Sequence, residues 1–143
     1  MTWLLVIHVI TAMVYVGGHI LENLLLYRHR DMDGRSRVFN AIRVGEPAIN
    51  VAAPIMILTG VAMVVLDDAW KFSDPFVMIG LGAIVVSVVL GLPLLKEMKS
   101  LDLLIREQGE TGEVNRRYKR LANGWSALAG VYLVAVWAMV VKP

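Results

Sequence analysis

Four long apolar stretches, separated by short polar segments, dominate the chain. A membrane-spanning helix needs about 20 mostly apolar residues. Four stretches satisfy this requirement, at residues 3–27, 47–66, 76–95 and 125–141. The pattern therefore predicts an all-α membrane protein: an antiparallel bundle of four transmembrane helices, forming a single domain over residues 1–143.

The composition agrees with this prediction and excludes several classes of function. Hydrophobic residues make up 57% of the 143 residues and charged residues 18%, with a mean hydropathy of +0.64. This is more apolar surface than a core of this size can hide from water, so a lipid bilayer must cover the rest. The chain has no cysteine, which excludes disulfides, thiolate metal sites and iron–sulfur clusters. A phosphate-binding loop, a dinucleotide fingerprint and a serine elbow are also missing from the sequence, which argues against soluble-enzyme chemistry.

The positive charges predict how the bundle lies in the membrane. Twelve of the 14 lysines and arginines fall in the first and third loops and the segments next to them. Positive charges near membrane spans remain in the cytoplasm. We therefore expect a bacterial cytoplasmic (inner) membrane protein with both termini on the non-cytoplasmic side. The net charge of +2 comes from basic residues that collect in the loops and set the membrane topology. We therefore do not read it as a sign of nucleic-acid binding, and we expect no nucleic-acid partner.

Residues 35–45 and 96–108 mix basic with apolar side chains. Such segments extend the neighbouring helices beyond the bilayer or lie on its surface. Polar groups at Gly45-Glu46-Pro47 and Asn123-Gly124 predict that the second and fourth membrane helices begin there.

The first span carries its polar residues on one face. At about 100° per residue, one arc of the helix contains His8, Thr11, Tyr15, His19, Glu22 and Asn23. The opposite side is apolar, and we expect Met13, Ile20 and Leu21 to lean towards lipid or a loosely packed flank. Ionisable residues within a span are costly, about 2.5–3.5 kcal/mol each on insertion scales, so they indicate a functional site by default.

The two histidines of this stripe mark two depths. They are 11 residues apart, which is about 16 Å along a helix, so they cannot bind the same ion. The outer depth combines His8 with methionines of the other spans, a combination suited to haem iron or copper(I): Met63, Met78 and Met139. Those methionines could instead be packing residues.

The inner depth collects polar residues from three spans: His19, Glu22, Asn23, Glu46, Asn50, Asn123 and Ser126. Such a set could hold a hard metal ion, relay protons or bind a quinone headgroup. The His19–Glu22 pair could equally satisfy itself by hydrogen bonding within the bundle.

Two runs of the sequence resemble motifs of known families. They are His8-Val9-Ile10-Thr11-Ala12-Met13-Val14-Tyr15-Val16-Gly17-Gly18 in the first span and Leu58-Thr59-Gly60-Val61-Ala62-Met63 in the second. They resemble motifs shared by the J-type membrane protoporphyrinogen oxidases, the copper-resistance D family and small bacterial integral membrane proteins of unknown function. In the oxidases the first-helix histidine is associated with haem b, and the resemblance implies that role for His8. Tyr15 stands where that family has a tryptophan.

These observations favour a membrane protein that binds haem b, or alternatively copper or another metal, for a redox role. The predicted cofactor-binding residues are His8, Tyr15, His19 and Glu22, with His8, His19 and Glu22 as candidate metal ligands. The alternative is a non-catalytic structural or accessory subunit of a larger membrane complex or homo-oligomer. The sequence leaves open whether the protein is an enzyme.

Overall fold

A computed structural model describes residues 2–29, 34–66 and 70–141. Within these ranges the chain forms four helices: α1 (Thr2–Arg28), α2 (Arg35–Leu66), α3 (Pro75–Gln108) and α4 (Gly112–Val141). Each helix is long and apolar enough to cross a membrane, and successive helices run antiparallel. The predicted all-α, four-helix transmembrane bundle is confirmed.

The second and fourth helices begin well before the predicted membrane spans. Pro47 lies inside α2 and Asn123 inside α4, so the helix starts predicted at these positions are wrong. Residues 35–45 and 96–108 are helical and extend α2 and α3 beyond the predicted membrane spans. We call these extensions overhangs; they are one of the two alternatives predicted for these segments. The overhangs are stable because their apolar faces pack together into a core cluster that includes Val38, Phe39, Ile42, Leu101, Val114 and Leu121.

We call the end of the bundle formed by these overhangs the basic end. Its loop between α3 and α4 is short: Gly109, with a φ of 72°, donates its N–H to the Ile105 carbonyl and so ends α3. Left-handed φ values of this kind favour glycine. The Thr111 hydroxyl then accepts the Val114 N–H at 3.3 Å and caps the start of α4.

The helices do not pack evenly against one another. Helix α1 packs along α2 and against α4, and α3 packs along α4, whereas α2 and α3 meet far less. Where α2 and α3 do meet, at the basic end, an ion pair between Arg43 and Asp102 joins them. Farther from that end the two helices leave space between them.

The densest packing therefore lies at the basic end. Leu26, Leu101, Tyr118 and Leu121 are almost completely buried there. Large apolar side chains cover the outside of the bundle, for example Trp3, which is 80% exposed, and Met13, which is 70% exposed. Because water would not tolerate so much apolar surface, this outside is the face that meets lipid.

Candidate functional site

A cavity of about 360 Å³ lies inside the bundle, at the end opposite the basic end. All four helices contribute to its wall, and Trp70 and Phe72 of the second loop also line it. On α3 its lining runs from Phe76 to Ser87, a distance of about 16 Å at 1.5 Å per residue. The wall is apolar except for a few polar side chains: His8, Tyr15, Ser87 and Tyr132.

His8 is held by α2 in one defined orientation. Its Nδ1 lies 2.9 Å from the Met56 carbonyl oxygen and 3.2 Å from the Thr59 hydroxyl. A carbonyl can only accept, so Nδ1 carries the proton and donates it. The Thr59 hydroxyl donates its own proton to the Ile55 carbonyl at 2.7 Å, which leaves its lone pairs free for His8. In the neutral imidazole this tautomer leaves the lone pair of the other ring nitrogen, Nε2, available.

Gly60 permits this close approach of α1 to α2. A Cβ atom at position 60 would lie 3.0 Å from His8 Cε1 and 3.4 Å from Nδ1. Such contacts are tighter than ordinary packing, so any larger residue at this position would push the imidazole away from the Met56 carbonyl.

Three thioethers share the cavity with His8. Met63 and Met139, both predicted at this depth, line the wall, and Met56 joins them. The third methionine predicted there, Met78, is 60% exposed and is not part of the lining. Depth along a helix was predicted correctly for Met78, but the side chain points away from the bundle.

His19 and Glu22 form a buried pair nearer the basic end. Nδ1 of His19 lies 2.8 Å from Glu22 Oε2, and their side chains are only 12% and 8% exposed. Aromatic rings surround the imidazole: Tyr132 stacks on it at 5.3 Å and Trp125 lies at the same distance, while Tyr15 meets it edge-on at 4.7 Å. The pair does not line the cavity.

Two tyrosines connect this pair with the cavity. The hydroxyls of Tyr15 and Tyr132 lie 3.1 Å apart in a hydrogen bond. Both tyrosines also line the cavity and both contact the His19 ring. The cavity and the buried pair are therefore separated by one layer of tyrosine side chains.

The rest of the predicted inner polar set does not gather around His19. Ser126 donates to Asn23 at 2.9 Å, Glu46 lines a small separate pocket with Arg43 and Asp102, and Asn50 and Asn123 are exposed. Within the residues that the structure describes, no three His, Asp or Glu side chains come together in a way that could hold a metal ion.

The structure agrees with the orientation predicted for the α1 stripe at every residue except Ile20. His8, Tyr15 and His19 are half-buried and Glu22 is buried, whereas Met13 and Leu21 are exposed; Ile20, expected on the lipid side as well, is half-buried. Sequence reasoning missed the α4 partners. The signal that could have found them is the seven-residue spacing of Tyr118, Trp125 and Tyr132, which places all three on one helical face.

The fold and the site together define a class: a small multi-pass membrane protein with four spans, an apolar cavity within the bundle and a buried polar stripe beside it. The chain belongs to the family described as "Predicted integral membrane protein (DUF2269)", whose sequence profile matches residues 2–143. Neither a curated protein nor a solved structure matches the chain.

Proposed function

We propose that this protein binds haem b in the cavity, with Nε2 of His8 as a ligand to the iron, and has a redox role. The observation that carries the proposal is the anchoring of His8. Histidines that bind metals commonly donate their other ring N–H to a carbonyl or carboxylate, which fixes the tautomer and the ring orientation. Nδ1 of His8 makes this bond to Met56, and His8 faces a cavity rather than close-packed side chains.

The other residues that line the cavity also suit haem b. Haem iron is commonly held by histidine, alone or together with a methionine thioether, and Met56, Met63 and Met139 line the cavity with His8. The apolar wall suits the faces of a porphyrin. The resemblance of the first span to haem-binding oxidases points to the same histidine.

The chain's own residues would set the properties of such a site. His8 would supply the ligand lone pair, and the Met56 carbonyl and Thr59 hydroxyl would hold the ring in place. The apolar wall would exclude water and favour the less charged state of the bound group. Haem b would supply one-electron transfer.

We further propose that the basic end faces the cytoplasm of a bacterial cell. Twelve of the 14 lysines and arginines support this orientation. In the structure Arg35, Arg43, Arg106 and Arg117 all form ion pairs at this end. The cavity would then open on the outer half of the membrane.

The test is the visible spectrum of the protein, purified in detergent from cells supplied with haem and copper. We expect a haem spectrum that changes on reduction, and its loss in His8→Ala. The matched control is His29→Ala, because His29 also donates Nδ1 to a carbonyl, that of Leu25 at 3.0 Å, yet lies at the basic end away from the cavity.

The other outcomes overturn the proposal in different ways. Copper bound by the wild type and lost in His8→Ala would replace haem by copper(I), which thioether and imidazole ligands also suit. A colourless, metal-free wild type would remove the cofactor altogether. The alternative role, a non-catalytic subunit of a membrane complex, would then take its place.

A further inference from the structure

A small pocket lies between α2 and α3 at the basic end, apart from the large cavity. Its volume is about 50 Å³. Since one water needs about 10–15 Å³, the pocket has room for a small polar group. Three residues of α2 and three of α3 form its wall: Phe39, Arg43, Glu46, Met98, Lys99 and Asp102. The two apolar members, Phe39 and Met98, are buried, so the pocket has an apolar floor and a charged rim.

The pocket lies at the depth of the lipid headgroups. On α2 and α3 the predicted membrane spans are residues 47–66 and 76–95. Glu46 directly precedes the first of these spans. Arg43 and Lys99 each lie four residues outside a span, which is about 6 Å along a helix. Because the headgroup layer on each side of a bilayer is about 5–8 Å thick, a phospholipid beside α2 and α3 has its headgroup at the level of the pocket.

The charges on the rim are of both signs, and only some of them are paired within the protein. Asp102 accepts hydrogen bonds from Arg43 and from Arg106, whose Nε lies 3.3 Å away. Among the described residues, neither Glu46 nor Lys99 has a side-chain hydrogen bond or ion pair, although both line this pocket. The pocket therefore presents one cation and one anion that are available to a ligand.

An apolar strip leads from the pocket towards the large cavity on both helices. Residues 7 or 11 positions apart lie within about 20° of each other on a helix, so Leu92 and Val88 share the face of Lys99, and Ile57 shares that of Glu46. Leu92 and Val88 are 55% and 53% exposed, and Ile57 is 36% exposed. Eleven residues span about 16 Å, which is the depth of one leaflet of a hydrocarbon core about 30 Å thick. Because α2 and α3 meet so little, an acyl chain has room beside this strip.

We propose that the pocket binds the headgroup of phosphatidylethanolamine, a phospholipid with one phosphate and one primary ammonium group. The phosphate accepts hydrogen bonds from Lys99 and Arg43, and the ammonium donates to the Glu46 carboxylate. One acyl chain lies along the strip between α2 and α3. Binding at this pocket does not depend on what occupies the large cavity.

The rim distinguishes this lipid from others by charge and by hydrogen bonding. Phosphatidylglycerol offers a phosphate without a cation, so Glu46 would lie beside a second anion, which like-charge repulsion disfavours. Phosphatidylcholine offers a cation, but its quaternary nitrogen has no N–H to donate. Hydrogen bonds between charged groups are the strong ones, and only a primary ammonium makes them with Glu46. We therefore expect phosphatidylethanolamine to bind in preference to both.

The test is a competition between lipids for the full chain purified in detergent. The protein is mixed with equal amounts of phosphatidylethanolamine, phosphatidylglycerol and phosphatidylcholine that carry the same acyl chains. Native mass spectrometry then counts the molecules of each lipid that stay bound. We expect one phosphatidylethanolamine per chain to be retained in preference to the other two. Glu46→Gln and Lys99→Gln should each lower this preference by up to about fivefold, the effect of one exposed ion pair.

Two matched controls and one reversal locate the effect at the pocket. Glu107→Gln and Arg116→Gln each remove one charge from an exposed position at the basic end, outside the pocket, and should leave the preference unchanged. Glu46→Lys replaces the anion of the rim with a cation and should shift the preference to phosphatidylglycerol. A gain of binding of this kind cannot result from a loss of folding.

Two kinds of result would overturn the proposal. A wild type that retains the three lipids equally, or that prefers phosphatidylglycerol or phosphatidylcholine, would contradict the headgroup assignment. A preference for phosphatidylethanolamine that survives Glu46→Gln and Lys99→Gln, or that the two control variants lower by as much, would place the lipid elsewhere on the bundle.

Discussion

Replacing Gly60 with alanine tests whether the α1–α2 contact holds His8 in its orientation. The new Cβ would lie 3.0 Å from His8 Cε1, so the ring or the helix must move by a few tenths of an ångström. Overpacking of this kind costs about 1–3 kcal/mol. Losing the hydrogen bond from His8 to the Met56 carbonyl costs a further amount of about 0.5–1.5 kcal/mol. The gain in helix propensity from glycine to alanine offsets about 0.8–1.0 kcal/mol. Together these terms predict that Gly60→Ala is destabilised by about 0.5–3.7 kcal/mol.

The matched control is Gly17→Ala in α1, where nothing lies within 4 Å of the added Cβ. This variant keeps the propensity gain without the clash, so its stability should be equal to or above that of the wild type. Unfolding in mixed detergent micelles measures both stabilities, and the haem content of the purified proteins reports on the site. Equal stability and equal haem content in the two variants would refute the role assigned to the Gly60 contact.

Three further predictions concern the rest of the bundle. Arg35→Ala breaks a largely buried ion pair, with Arg35 Nη1 2.7 Å from Glu110, and should cost about 3 kcal/mol in an unfolding experiment; the exposed neighbour Arg37→Ala should cost under about 0.5 kcal/mol. A double-mutant cycle of Tyr15→Phe and Tyr132→Phe should show a coupling of about 0.6 kcal/mol, and zero coupling would contradict the hydrogen bond between them. Reporter fusions in the first and third loops should report the cytoplasm and one in the second loop the opposite side; the reverse pattern would invert the topology.

Sequence periodicity was sufficient for the bundle and for the face that α1 presents. The spans are long and apolar, and a polar arc on an otherwise apolar helix can point only inwards. His8, Tyr15 and Glu22 therefore lie where the pattern predicts. The helix starts predicted at Pro47 and Asn123 are wrong for a physical reason. A locally favourable capping group does not set the start of a helix when the residues before it gain more by staying helical, and here the preceding turns bury Phe39 in α2 and Tyr118 in α4.

The neighbours of the stripe could not be predicted from the sequence. Depth along a helix follows from residue counting, but the direction of a side chain depends on how each helix is rotated in the bundle. This is why Met78 points outwards while Met56 lines the cavity. The contact of His19 with Trp125 and Tyr132 depends likewise on α4 packing beside α1, and the cavity exists because α2 and α3 separate.

The most direct test of the central claim is imidazole rescue of the His8→Ala variant, followed in the reduced-minus-oxidised visible spectrum. The account predicts that wild type and His29→Ala carry haem, that His8→Ala has lost it, and that haem supplied with free imidazole restores a wild-type-like spectrum, because imidazole can occupy the space of the missing ring. A haem spectrum in His8→Ala identical to that of the wild type, or a wild type without haem, would contradict it.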